Sequence, residues 1–201
     1  MRAALSSILA LALAVPAAAQ DAPYPAVEVL NAFRDGCGAI ENQAAASASL
    51  TNAGWEVVDE AFSSVDLVIF LTFARDAGGK AVSAQGGTMS EMEVFEKTVS
   101  GEQLFIVLSE VKIDGVRVTG CRLFDFGETR AIPAATVTEW LDQEPSRVIN
   151  REELQVADWE PGTLPGHDSF QLFFVPADSP VKQAFKFDGV AFKSDTVGVT
   201  E

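Results

Sequence analysis

The side chains best suited to chemistry in this chain are two cysteines, Cys37 and Cys121, the single histidine His167, and the acid that follows it, Asp168. A cysteine can serve as a nucleophile, a metal ligand or half of a disulfide. A zinc centre takes about four closely clustered ligands, and two isolated cysteines with one histidine do not supply them. A nucleophilic pair would have to join one cysteine to His167. A disulfide needs only the two cysteines, and the N terminus favours it. MRAALSSILALALAVPAAAQ places Arg2 before an apolar run from Ala3 to Val15 and a small-residue A-x-A site at Ala17-Ala18-Ala19. Those are the three parts of a secretory signal peptide, and residues 1–19 are expected to be removed. Export takes a chain to an oxidising compartment, periplasmic or secreted. Cys37 and Cys121 are therefore expected as a structural bridge, which closing so long a loop makes worth about 4–5 kcal/mol on the chain-entropy model.

His167 lies in VADWEPGTLPGHDSFQLFFVP, where Trp159 and Phe170 flank two Pro-Gly turns. A His–Asp neighbour pair suggests a hydrolytic triad, but residues i and i+1 point apart on an extended chain. Asp168 is thus poorly placed to orient His167. Trp159 offers a large apolar face with a polar edge, as ligand sites often do; it can equally close a core. Trp159, His167 and Phe170 are the candidate ligand-facing residues, with a loop histidine and a core tryptophan as the plainer alternatives. No catalytic residue, metal ligand or cofactor is assigned.

Other strings fit catalytic patterns only by letters. Asp125-Phe126-Gly127 matches a kinase magnesium motif without its companions, and the end of a strand explains it. Gly36-Cys37-Gly38 begins a dinucleotide fingerprint but lacks the third glycine and the preceding strand. Ser179-Pro180-Val181-Lys182 fits S-x-x-K without the S-D-N or K-T-G partners of serine acyl-enzymes.

The chain carries 29 acidic against 14 basic residues, a net charge of −15. No Lys/Arg cluster offsets it, so nucleic acid and anionic lipid surfaces are excluded as partners. With the leader removed, no stable membrane insertion is expected. The acidity serves solubility, and no EF-hand-type loop turns it into a calcium site.

The elements that must position these residues follow from periodicity. Leu30, Phe33, Cys37 and Ile40 recur at helical spacing, so a helix begins near Ala26, with Cys37 on its buried face. A second, alanine-rich helix is capped by Asn42 and stops at Gly54, after which Trp55, Val57 and Val58 pack back. Val65 to Phe73 suits a buried strand or a helix capped by Ser64; Asp66 in its first turn and Arg75 near its last favour the helix. DAGGKAVSAQGGTMS reads as a mobile loop. EVFEKTV alternates as a strand, and QLFIVLSEVKI and VRVTGCRLFDF flank Asp114-Gly115 as a hairpin. Pro133 opens a helix that ends before Pro145. LQVADWEPG, SFQLFFVP and VKQAFKFDGVAF are three further strand candidates.

The expected product is a single α+β domain over residues 20–201: short N-terminal helices on a largely antiparallel sheet interrupted by one helix, stapled by one disulfide. Six of the 14 phenylalanines fall between Phe170 and Phe192; they build a sheet core or line an apolar cavity against it. Three function classes remain. The first is an exported non-enzymatic binding or accessory protein for a small apolar ligand or an envelope protein. The second is a hydrolase using His167 with an acidic or serine partner. The third is a structural or inhibitory envelope protein acting through edge strands or the Gly-rich loop.

Overall fold

The structure, a computed structural model, describes residues 22–59, 64–162 and 164–200. The signal peptide expected over residues 1–19 lies outside them. The described strands are β1 (Glu56–Val57), β2 (Thr88–Met89), β3 (Glu93–Val99), β4 (Glu102–Ile113), β5 (Val116–Phe126), β6 (Arg147–Arg151), β7 (Leu154–Trp159), β8 (Ser169–Val175) and β9 (Gly189–Val199). They form one antiparallel sheet in the order β1-β3-β4-β5-β9-β8-β7-β6, with β2 also paired to β4. The described helices are α1 (Ala26–Gly36), α2 (Gln43–Asn52), α3 (Val65–Ser83), α4 (Ala134–Leu141) and α5 (Val181–Phe185). The α+β class, the antiparallel sheet and the N-terminal helices are as the sequence predicts.

Local chemistry sets most of these boundaries. The Asn42 side chain accepts a hydrogen bond from Ala45 N at 2.9 Å and starts α2. The hairpin turns at Asp114 (φ 51°) and Gly115 (φ 78°), both left-handed as a two-residue type I′ turn requires. Strand side chains alternate between faces, so the sheet has two apolar sides. On one side Leu30 and Phe33 of α1 and Leu50 of α2 bury against Phe95, Leu104, Ile106, Leu123, Phe170 and Phe192. On the other, Leu67 and Leu71 of α3 bury against Val94, Phe105, Val107, Phe124 and Val175.

Cys37, the residue that ends α1, is bonded to Cys121 of β5 with Cα atoms 6.1 Å apart across 84 residues of sequence. Both are fully buried. The expected staple is present, and it fastens the first helix to the middle of the sheet. Gly36 beside it has a packing role: a Cβ there would lie 2.7 Å from both Leu50 Cδ2 and Trp55 Nε1.

The structure corrects four local expectations. The predicted mobile loop over residues 76–90 is mostly helix, because α3 continues to Ser83. The glycine pair lies beside Met89 of β2: a Cβ at Gly78 would meet the flexible end of that side chain, Sδ, at 3.2 Å, and one at Gly79 would reach Cε only at 4.0 Å. VKQAF is the short helix α5 rather than a strand. Ser179 Oγ accepts from Val181 N at 3.0 Å, Lys186 (φ 54°) ends the helix, and β9 begins only at Gly189. The strand β6 was not foreseen; it is short and largely exposed, so it carries little apolar signal. Val57 pairs with Phe95 but projects into solvent, while Trp55 is buried as expected.

Candidate functional site

The three residues singled out in the sequence are in the core on the α1 side of the sheet. Trp159 and Phe170 are direct cross-strand partners and both are fully buried. Phe170 packs edge-on to Phe33 with ring centroids 5.7 Å apart, and Trp159 Nε1 donates to Gln143 O at 2.9 Å. These contacts close the end of the helix layer. His167 is also buried; its Nδ1 makes a short hydrogen bond to Ser194 Oγ, which in turn donates to Ser169 O at 2.7 Å. Burial lowers the His167 pKa, with the Cys37 backbone and Asp168 opposing, so the imidazole is neutral at pH 7. Asp168 turns away and accepts from Val197 N at 2.6 Å. A His–Ser contact therefore exists, but Ser194 has no solvent exposure.

The S-x-x-K residues are structural too. Ser179 Oγ donates to Glu153 O at 2.6 Å, and Lys182 Nζ pairs with Asp188 at 3.0 Å.

A ligand-sized hollow lies on the opposite face, between α3, α5 and the sheet. Its volume is about 240 Å³, and six phenylalanines of this face line it: Phe70, Phe73, Phe124, Phe173, Phe185 and Phe187; Phe192 borders it from β9 while its ring packs on Phe33 on the α1 side. The register shows why the space is there. Ala191 of β9 sits directly opposite Phe124 of β5 on one side and Phe173 of β8 on the other. A methyl group between two large rings leaves a gap that helix α3 spans without filling. The helix supplies Phe70 and Ala74, one turn apart, and Phe70 packs on Phe124 at 4.5 Å between centroids, the rings tilted by 54°.

Two residues along the sheet, this aromatic row gives way to a polar one. Arg122, Lys193, Gln171, Asp158 and Arg147 are successive cross-strand partners on β5, β9, β8, β7 and β6. Arg147 pairs with Asp158, and Gln171 donates to Asp158 at 2.9 Å. Arg122 and Lys193 face each other directly and share one carboxylate, Asp195, at 3.4 and 2.7 Å. Both also line the hollow. Burial lowers the Arg122 pKa and Asp195 opposes the change; a guanidinium stays charged regardless.

A second cluster of ionisable groups stands where β5 ends. Tyr24 Oη donates to Asp125 at 2.9 Å, and Arg130 bridges Glu128 and Glu102, reaching Glu102 at 2.7 Å. Burial, aided by Glu102 and Glu128, pushes the Asp125 carboxyl up to about 7, against the opposing pull of Tyr24 and Arg130. Burial would raise Glu128 as well, but its hydrogen bonds from Arg130 outweigh that and hold it low. The Tyr24 phenol is raised by burial and by Asp125. Oxygens of Glu102, Asp125 and Glu128 lie within 4.8 Å of one another, but Arg130 and Tyr24 already engage them. Asp125 belongs to the D-F-G string, and its role here is structural.

Sequence reasoning held an apolar cavity against the phenylalanine-rich sheet as the alternative to a filled core, but did not place it. The missed residue is Ala191, and the available signal was one small side chain in a run of aromatic ones. No family model, curated protein or solved structure matches this chain.

Proposed function

We propose that this chain is an exported, non-enzymatic binding protein that holds a small apolar molecule in the hollow over Ala191. The observation that carries this reading is the aromatic lining around one small residue, about 240 Å³ in volume. That is a little below the range of about 300–1,000 Å³ common to small-molecule pockets. A cavity of about 150 Å³ holds a benzene ring, so by proportion this one takes roughly nine carbon atoms. The leader-like N terminus and the closed Cys37–Cys121 bridge support export. No helix among the described residues is long and apolar enough to cross a membrane.

The reading is tested by native mass spectrometry of protein from the exported fraction, with the Ala191→Leu variant alongside. A small-molecule adduct on the wild type that is missing from the variant supports it. Failure of the folded wild type to take up any apolar probe would sink it.

One observation favours a protein partner as a second reading. Val65, Val68 and Ile69 form an exposed stripe on the outer side of α3, with Val65 73% exposed. Sedimentation velocity of the wild type against Val65→Ser with Ile69→Ser tests whether that stripe drives association.

A further inference from the structure

We propose that the molecule held over Ala191 is a medium-chain carboxylic acid, its apolar tail in the hollow and its carboxylate at Arg122 and Lys193. This rests on the binding reading above and adds the class of head group. The first ground is charge. Arg122 and Lys193 are direct cross-strand neighbours, an arrangement that like charges make unfavourable. Their side chains share a single acid, Asp195, so the pair retains one surplus positive charge. The other charges in the same row, Arg147 and Asp158, neutralise each other. A surplus of one, in a chain whose net charge is −15, is matched by a monoanion.

The second ground is donor capacity. Arg122 gives one N–H to Ser109 Oγ at 2.8 Å and one to Asp195, and Lys193 gives one to Asp195. That leaves further guanidinium and ammonium donors for an added carboxylate.

The third ground is direction. A Cβ at Gly120 would lie 2.4 Å from Arg122 Nη1 and 2.7 Å from Asp195 Oδ1, so the guanidinium lies over Gly120, beyond the aromatic row. The stems of Arg122 and Lys193 thus border the hollow, while their charged ends lie beyond the aromatic row, toward Gly120 and Asp195. An occupant with its tail among the aromatic rings and a head group extended along these stems reaches the two cations, which is the polarity of an amphiphilic acid. The estimate of roughly nine carbons sets the tail length.

The test is calorimetric titration of the oxidised protein with decanoic acid, 1-decanol and decylamine, all below their aggregation limits. The expected order is acid over alcohol over amine, with the acid about tenfold or more tighter than the alcohol. Lys193→Gln should remove most of that preference, weakening acid binding far more than alcohol binding. Arg122→Gln exposes the same term, but it also frees Ser109 and Asp195; Lys193→Gln and a salt titration of the wild type therefore carry the decision. Equal binding of acid and alcohol, or an acid preference untouched by both Lys193→Gln and salt, overturns the carboxylate assignment while the hollow stands. If neither acid nor alcohol binds the folded protein, the binding reading itself fails. Dimerisation that buries Phe185 in place of ligand would overturn both.

Discussion

Ala191 lies in register between Phe124 and Phe173, and it is the smallest side chain in the aromatic row beneath α3. Leucine at this position projects into the hollow instead of into packed atoms. Ala191→Leu should therefore abolish ligand uptake while leaving thermal stability equal or higher, in contrast to the ~1–3 kcal/mol that overpacking a filled core costs. Melting curves and a binding isotherm on the same sample check both halves. A loss of several kcal/mol would mean the space is not open.

Opening the Cys37–Cys121 bridge frees a loop of 84 residues. The double substitution Cys37→Ala with Cys121→Ala should cost on the order of 4 kcal/mol, measured by urea denaturation. The untreated protein should run about 2 Da lighter than the reduced one, since each disulfide lacks two hydrogens.

Asp125 gives a pH dependence of definite sign. Its carboxyl is raised from 3.8 in the reference state to about 7 in the fold, by burial first. Between those values the folded protein keeps a proton that the unfolded chain has released, so this group's stabilisation is complete below the lower value. It is lost as pH rises toward 7, at up to about 1.4 kcal/mol per unit. Asp125→Asn should flatten that slope and stabilise the protein at pH 8. An unchanged slope would show that Asp125 ionises freely in the fold.

His167 acts in the opposite sense. Its folded pKa is lowered by burial, so its contribution is present above the ordinary histidine value of about 6.5 and declines as pH falls through it and the unfolded chain takes up a proton. His167→Ala should destabilise by roughly 2–3 kcal/mol, since Ser194 loses its partner in the core, and should leave ligand binding intact. Lost binding or activity in a folded His167→Ala protein would return His167 to a functional role.

Two glycines separate close backbone packing from tolerance. Gly36→Ala drives a methyl group to 2.7 Å from Trp55 Nε1 and Leu50 and should cost ~1–3 kcal/mol, with a shift in tryptophan emission. Gly78→Ala meets only the flexible Met89 at 3.2 Å, and the gain in helix propensity, about 1 kcal/mol, should offset the contact. Denaturation midpoints of the two variants check the contrast.

What was legible in the sequence was what local chemistry decides. Asn42 as a cap, Asp114-Gly115 as a turn, the alternation of β3 to β5 and the pairing of the only two cysteines are each set by a few neighbouring residues. What was not legible depends on distant partners. Gly78 and Gly79 read as a loop by composition alone, whereas α3 continues through them to Ser83 beside Met89 of a separate strand. Trp159 and His167 read as ligand-facing because turns surround them; only the docking of α1 and α4 closes that end. Ala191 became informative through Phe124 and Phe173, neither of which adjoins it in sequence.

The two outermost strands of the sheet have a consequence for the protein's own solubility. One edge ends in β1, only two residues long; the other ends in β6, five residues with arginine at both termini. Neither offers a long, flat, uncharged row of backbone groups on which another chain could template. A sheet this rich in phenylalanine is thereby shielded from edge-to-edge polymerisation, and its apolar character is directed to its faces.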